Sequence, residues 1–288
     1  MSQQNTRLGI LLMIATTFVF AMQDGISRHL AGHYNTLMVV MIRYWFFAAF
    51  VIALSARRPG GLSSVRRSNH LWTQITRGAL LALEICVTVL SFTLLGLTES
   101  HAVFICYPLI IAALSGPVLG EQVGWRRWAA ILIGLVGVMI ILQPGSGVFR
   151  PVAAIPLLGA GMFALYGLLT RYVARDDSSA TSFFYTGTIG AVVMTAIGIW
   201  FWEPLVGRDW AWMALLCLTG VSGHWLLIKT YEAAEASAVQ PFAYLQLPFA
   251  AALGMAAFGE TLRMNVAIGA GIVVAAGLFT LWRERQSG

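Results

Sequence analysis

The sequence predicts an all-α integral membrane protein, and three observations carry that prediction. Of the 288 residues 58% are hydrophobic and only 10% charged, against about 25% charged in soluble domains. The mean hydropathy of +0.77 is too high for a water-covered surface. The apolar residues also gather into runs long enough to cross a bilayer, which takes about 20 residues per helix, and short polar links separate them.

Ten spans follow from apolar length and from flanking charge, Gly and Pro. The first five are residues 8–27, 36–55, 74–96, 101–119 and 127–143. The second five are residues 152–170, 180–202, 210–230, 238–257 and 264–282. With the N-terminus cytoplasmic, the inner segments hold Arg7, Arg57, Arg58, Arg66, Arg67, Arg126, Arg127, Arg171, Arg175, Lys229, Arg283 and Arg285. The outer ones hold Arg28, Arg150, Arg208 and Arg263. That bias places both termini in the cytoplasm, and an even number of spans agrees. The basic balance therefore reads as a topology signal and not as a nucleic-acid surface. Arg7 followed by apolar residues 8–22 has the look of a signal peptide, but its counterpart later in the chain argues that it is retained. Cys86, Cys106 and Cys217 each sit inside an apolar run, away from metal-ligand spacing, and read as packing residues.

The two halves share a pattern. Phe20-Ala21-Met22 and Ser27-Arg28-His29-Leu30-Ala31 match Phe163-Ala164-Leu165 and Thr170-Arg171-Tyr172-Val173-Ala174. Ser100 and Tyr107 match Ser237 and Tyr244, and Gly120-Glu121 matches Gly259-Glu260. Five helices per unit is an odd number, so the second unit runs through the membrane in the opposite sense. That is an inverted-topology repeat, with units at residues 1–145 and 146–288 in one integrated membrane domain.

With the paired Gly-Glu motifs, Arg43 in the second span, and Pro108 and Pro248 in the fourth and ninth, the chain resembles the drug/metabolite transporter superfamily in its ten-helix form of two EamA-type repeats. Within it the chain most resembles bacterial inner-membrane exporters of amino acids, aromatic ones included. The resemblance implies a central cavity lined mainly by the first, third, fourth, sixth, eighth and ninth helices. It also implies outward movement of a small metabolite by alternating access. Other cargoes of the superfamily, such as cationic drugs, nucleosides and sugar nucleotides, stay open, because fold alone does not set cargo.

Ionisable groups inside spans are costly and mark candidate sites. Glu84 lies near the middle of the third span, with Thr88 and Ser91 on the same face; it either serves a cavity or is a neutral acid bonded to a neighbouring helix. Asp24 shares a face with Thr17, Phe20 and Ser27, and is either a cargo contact or a rim residue paired with Arg28. Arg43 reads as structural. His224, on a stripe with Gly220 and Cys217, is either a binding or proton-relay group or a packed histidine. Tyr107, Tyr166 and Tyr244 suit an amphipathic ligand, or else belong to the core or interface. Pro108, Pro241 and Pro248 are candidate hinges or fixed kinks. Trp202, Trp210, Trp212 and Trp282 fit an interfacial belt.

No G-x-x-x-x-G-K-[ST] loop is present, nor H-E-x-x-H or G-x-S-x-G, so neither direct ATP-driven transport nor a membrane enzyme is expected. No cofactor or metal is called for. The expected partners are a small-molecule substrate and the lipid bilayer; the sequence leaves the oligomeric state open and admits a monomer. A receptor or scaffold without flux is the rival of a different class.

Overall fold

Small polar residues mark where helices begin. The Asn5 side chain accepts the Leu8 N–H at 3.0 Å, Asn35 the Leu37 N–H at 2.9 Å, and Ser178 the Thr181 N–H at 3.1 Å. Each satisfies an amide that the helix leaves unpaired at its first turn. The structure is a computed structural model that describes residues 5–120, 125–142, 151–234, 239 and 242–287. Among them all regular structure is helical.

In chain order the helices are α1 (Thr6–Ala31), α2 (Thr36–Ala56), the short α3 (Gly61–Arg66) and α4 (Leu71–Leu95). Then come α5 (Leu97–Phe104), α6 (Tyr107–Leu119), α7 (Trp125–Leu142) and α8 (Ala154–Val173). The chain continues with α9 (Ser179–Gly198), α10 (Asp209–Ala233), α11 (Gln246–Phe258) and α12 (Met264–Ser287). Six are long and apolar enough to cross a membrane: α1, α2, α4, α9, α10, and α8 with the turn before it. Residues 97–111 and 113–119 are long and apolar enough only together, with a 44° bend between them: a broken span or a re-entrant loop. The expected fifth, ninth and tenth spans fall on α7, α11 and α12, whose apolar stretches are shorter.

The expected proline kinks are placed differently. Pro108 is the second residue of α6 and Pro248 the third of α11, where an absent N–H breaks no helical bond. The chain turns just before each, at residues 105–106 and 244–245. Pro241 lies outside the described residues. Both α6 and α11 have 13 residues and close on a left-handed glycine, Gly120 at φ 73° and Gly259 at φ 64°. Counted back from those caps, the position matching Tyr107 is Gln246, two residues beyond Tyr244.

Helix ends meet at two poles. At the near pole, where α1 begins, the Asn5 N–H reaches the Ala233 carbonyl at 3.0 Å and Arg175 the Leu119 carbonyl at 2.8 Å. At the far pole the Tyr34 hydroxyl donates to Asp209 at 2.8 Å and Arg263 to Glu99 at 3.2 Å. Between the poles α1 packs on α10 and α11, α4 on α8 and α9, α2 on α9 and α10, and α7 on α12.

Glycines permit the tightest crossings. The Tyr44 and Phe47 rings lie against Gly190 and Gly187 of α9, so the Gly190 pattern serves packing within the chain. Gly137 of α7 and Gly269 of α12 meet backbone to backbone: a Cβ added at Gly137 would stand 2.7 Å from the Gly269 carbonyl oxygen. Outward-facing Leu11, Phe18, Phe50, Leu94, Val192 and Leu218 are exposed, as a surface solvated by lipid requires. Trp202, Trp210 and Trp212 are exposed near the far-pole helix ends, while the Trp282 side chain lies outside the described residues. Cys86, Cys106 and Cys217 are free thiols.

Candidate functional site

Seven helices converge on a partly open cavity of about 40 Å³ between the poles. From α1 it receives Phe20, Gln23 and Asp24; from α4, Glu84 and Thr88 with Ile85 and Val89. Phe104 comes from α5, Phe163 from α8, His224 from α10 and Gln246 from α11. These are the helices that the resemblance implied, joined by α2 through Arg43. The spacing of α1 and α4 explains the polar wall, since residues four apart share a helix face.

The wall carries charge without cancelling it. Glu84 accepts the Thr88 hydroxyl at 2.6 Å within its own helix, and Asp24 Oδ2 accepts the Gln246 amide at 3.1 Å. Arg43 Nη2 lies 3.1 Å from His224 Nε2. Arg43, Glu84 and Asp24 are 2%, 3% and 8% exposed, yet no salt bridge joins the guanidinium to either acid. Arg43 Nε, His224 Nδ1 and Gln23 Oε1 are buried without hydrogen-bond partners, a costly state for polar groups that a ligand or water would relieve.

Aromatic rings form the remaining wall. Phe20 meets Phe163 edge-on at 6.3 Å and His224 at 5.2 Å; Phe104 meets Phe163 at 5.5 Å. A Cβ added at Gly159 would stand 2.6 Å from Thr88 Oγ1, so a bare backbone lets α8 come this close to the polar face of α4.

Of the residues marked in the sequence, Phe20, Asp24, Glu84, Thr88 and His224 therefore come together. The three tyrosines stand one layer back. Tyr107 packs against Phe104 at 5.2 Å and Phe163 at 4.9 Å, Tyr166 accepts Arg77 Nη1 at 3.3 Å, and Tyr244 is buried off the cavity. Asp24 does not pair with Arg28. Gln23, Gln246, Phe104 and Phe163 were not marked, and Arg43, read as structural, is on the wall. The stripe of His224 and Gly220 signals that position, because a Cβ at Gly220 would lie 2.6 Å from Arg43 Nε.

A polar network flanks the cavity toward each pole. Toward the far pole, Glu260 reaches back to the start of α5. It accepts the Leu97 and Thr98 N–H groups, each at 2.8 Å, the Thr98 hydroxyl, and the Arg28 guanidinium. Gly96 and Gly254 leave room for it, since a Cβ at either would stand 2.5 Å from a Glu260 oxygen. Arg28 also lies 4.1 Å above the Phe258 ring. Partial burial works against the charged carboxyl, but the bonds from Thr98 and Leu97 and the charge of Arg28 hold its pKa below the usual range. Toward the near pole, Arg77 donates to Gln74 Oε1 at 2.9 and 3.2 Å, Tyr166, Thr170 at 3.1 Å and the Ser182 carbonyl. Gln74 in turn donates to Asp177 at 2.9 Å.

Known proteins share this whole architecture. A crystal structure superimposes with a TM-score of 0.68 at 19% identity, over 98% of this chain and 97% of that one. An S-adenosylmethionine uptake transporter of Rickettsia prowazekii is 24% identical over 97% of this chain and 94% of its own. A riboflavin transporter of Vibrio cholerae is 25% identical over 97% and 95%, and one of Rhizobium johnstonii 28% over 97% and 92%. The model of the EamA-like transporter family matches residues 7–143 and again 152–282. With a multi-pass helical bundle, a charged central cavity and that match along its length, the chain belongs to the EamA-like transporter family.

Proposed function

We propose that this transporter carries a small zwitterionic metabolite bearing a flat ring, by alternating access of two inverted units, residues 1–145 and 146–288. The observation that carries the cargo class is the wall itself: a guanidinium and two carboxyl side chains share one cavity without pairing, beside three phenylalanine rings. Asp24 and Glu84 suit the ammonium or other cationic end of such a molecule, Arg43 suits its carboxylate, and Phe20, Phe104 and Phe163 suit its ring. Aromatic amino acids meet that description. So does S-adenosylmethionine, the cargo named for one relative, which joins an amino-acid head to a purine. Riboflavin, named for others, has the ring without the head.

Packing supports the inverted units. Exchanging α1 with α8, α2 with α9, α4 with α10 and α7 with α12 turns the contact of α1 with α10 into that of α8 with α4. The contacts of α2 with α9 and of α7 with α12 map onto themselves. The turns at residues 105–106 and 244–245, just ahead of α6 and α11, occupy matching places beside Pro108 and Pro248 and offer points of bending. The bacterial relatives and the arginine bias support the inner membrane with the near pole cytoplasmic. Export of amino acids is one direction of such a carrier, and uptake, as named for the Rickettsia relative, is the other.

The test is counterflow into protein-containing liposomes of labelled S-adenosylmethionine, tryptophan, alanine and riboflavin, with empty-liposome controls and the Arg43→Gln and Glu84→Gln variants. The expected result is saturable, mutually competitive flux of the ring-bearing zwitterions, reduced in both variants. Flux of riboflavin alone overturns the zwitterionic cargo, and flux of none, with the protein folded, overturns transport of this class. Oppositely oriented preparations report the direction.

A further inference from the structure

The wall has one contact that the transport reading does not use. His101, on α5, is 2% exposed. Its Nε2 lies 3.2 Å from Asp24 Oδ2 on α1 but is misaligned for a hydrogen bond, leaving it a buried nitrogen without a partner. The ring is held by Phe92 at 5.1 Å and by Phe104 at 6.1 Å, so it has little room to swing away. The same Asp24 oxygen accepts the Gln246 amide from α11. Three separate segments thus meet at one oxygen atom on the cavity wall.

An ionised carboxylate only accepts hydrogen bonds, while a neutral imidazole carries one hydrogen on either ring nitrogen. With that hydrogen on Nδ1, His101 Nε2 and Asp24 Oδ2 are two buried acceptors facing each other at 3.2 Å; with it on Nε2, the ring faces the carboxylate as a donor. A further proton sets an imidazolium beside a carboxylate or leaves a neutral pair, and both forms hold it out of water. Resting on the transport reading of the same cavity, we infer that Asp24 and His101 together hold the proton that is exchanged for cargo.

In the exchange, the cationic end of the cargo approaches Asp24 from the cavity, and its N–H or positive charge takes over the stabilisation of the carboxylate. His101 or Asp24 then releases its proton to water in the cavity, and no other bond is made or broken. The cargo-bound and proton-bound forms exclude each other, which is the condition for antiport. Other charged groups are accounted for among the described residues. Glu84 of α4, Arg43 of α2 and His224 of α10 share the cavity wall. Arg28 of α1 and Glu260, after α11, are paired at the start of α5, and Glu99 of α5 pairs with Arg263 beside α12. From α8, Phe163 packs on Phe20 and Phe104 and brings no charge to that side. Asp24 is the only one of these acids within ion-pair reach of an imidazole inside the bundle.

The experiment uses liposomes with the membrane potential clamped at zero and whichever panel member shows counterflow. A gradient of about one pH unit is expected to sustain up to about tenfold accumulation in the wild type, one tenfold ratio being exchanged for the other. In His101→Gln, which keeps a donor but cannot carry the proton, accumulation divided by counterflow rate is expected to fall about tenfold. Addition of cargo to the wild-type protein in lightly buffered detergent, followed with a pH dye, is expected to release about one proton per cargo bound. This second reading does not depend on how the variant folds. Saturable counterflow with neither a gradient response nor proton release overturns the coupling and leaves the transport reading standing. Loss of the drive in Glu84→Gln with its retention in His101→Gln also overturns it, by moving the proton to α4. Absence of counterflow for every panel member overturns both.

Discussion

At the far pole a half-buried arginine meets a carboxylate, and at the near pole a fully buried one meets none. Arg28 and Glu260 are 21% and 13% exposed, so water already touches the pair, and separating it yields two ions that can be hydrated. Arg77 is fully buried and held by neutral oxygens of Gln74, Tyr166, Thr170 and Ser182. Its positive charge has no water to fall back on if those acceptors move, so α4, α8 and α9 are fastened as a block. The junction of α1, α5 and the loop after α11 is a seam whose charges water can take over.

Three substitutions probe this contrast, from the largest effect down. Arg77→Leu strands four acceptors inside the block and is expected to cost about 3–5 kcal/mol, read as a marked fall in the thermal unfolding midpoint in detergent. An unchanged midpoint would mean that the near-pole block is not fastened there. Glu260→Gln removes the charge from the far-pole seam at a cost of about 1.5–3 kcal/mol, the range for hydrogen bonds to charged groups. A Ser27→Cys reporter, buried on α1 beside the seam, should then react about tenfold faster or more with an impermeant maleimide added from the far side.

The pH dependence of that reaction has a fixed sign. Because the folded pKa of Glu260 is lowered, its contribution is fully present above the ordinary carboxylate range and is lost as pH falls through the folded value. The labelling rates of the two proteins should converge in acid, and a constant ratio would dissociate Glu260 from closure. Phe258→Leu removes only the ring under Arg28, worth about 0.5–1 kcal/mol, and should quicken labelling by less than about sixfold.

The contrast between seam and block shows what the sequence makes visible. Apolar runs gave the position of the six long spans, because burial in lipid constrains composition residue by residue. Asp24, Glu84 and His224 stood out for the same reason, each being an ionisable group within an apolar run. Thr88 and Phe20 followed from helical spacing. The Glu260 clamp could be seen only as a motif, since nothing in Gly259-Glu260 tells that its carboxylate reaches amides at residues 97 and 98. Gln246 and His101 were hidden likewise, because their relevance depends on where α11 and α5 lie against α1. The tyrosines were placed one layer too far forward, for periodicity gives a face of a helix but not the neighbour that face meets. Arg43 looked like a brace because a buried arginine usually finds an acid, and here it finds His224.

The crossing of Gly137 and Gly269 has a mechanical consequence. Each glycine receives the other helix's carbonyl oxygen together with its side chains, Val273 and Ile272 over Gly137 and Ile141 over Gly269. The two helices are therefore keyed into one another at the distance that a bare backbone permits, and α7 and α12 move as a pair. A single methyl group at either glycine would wedge that key out of its slot.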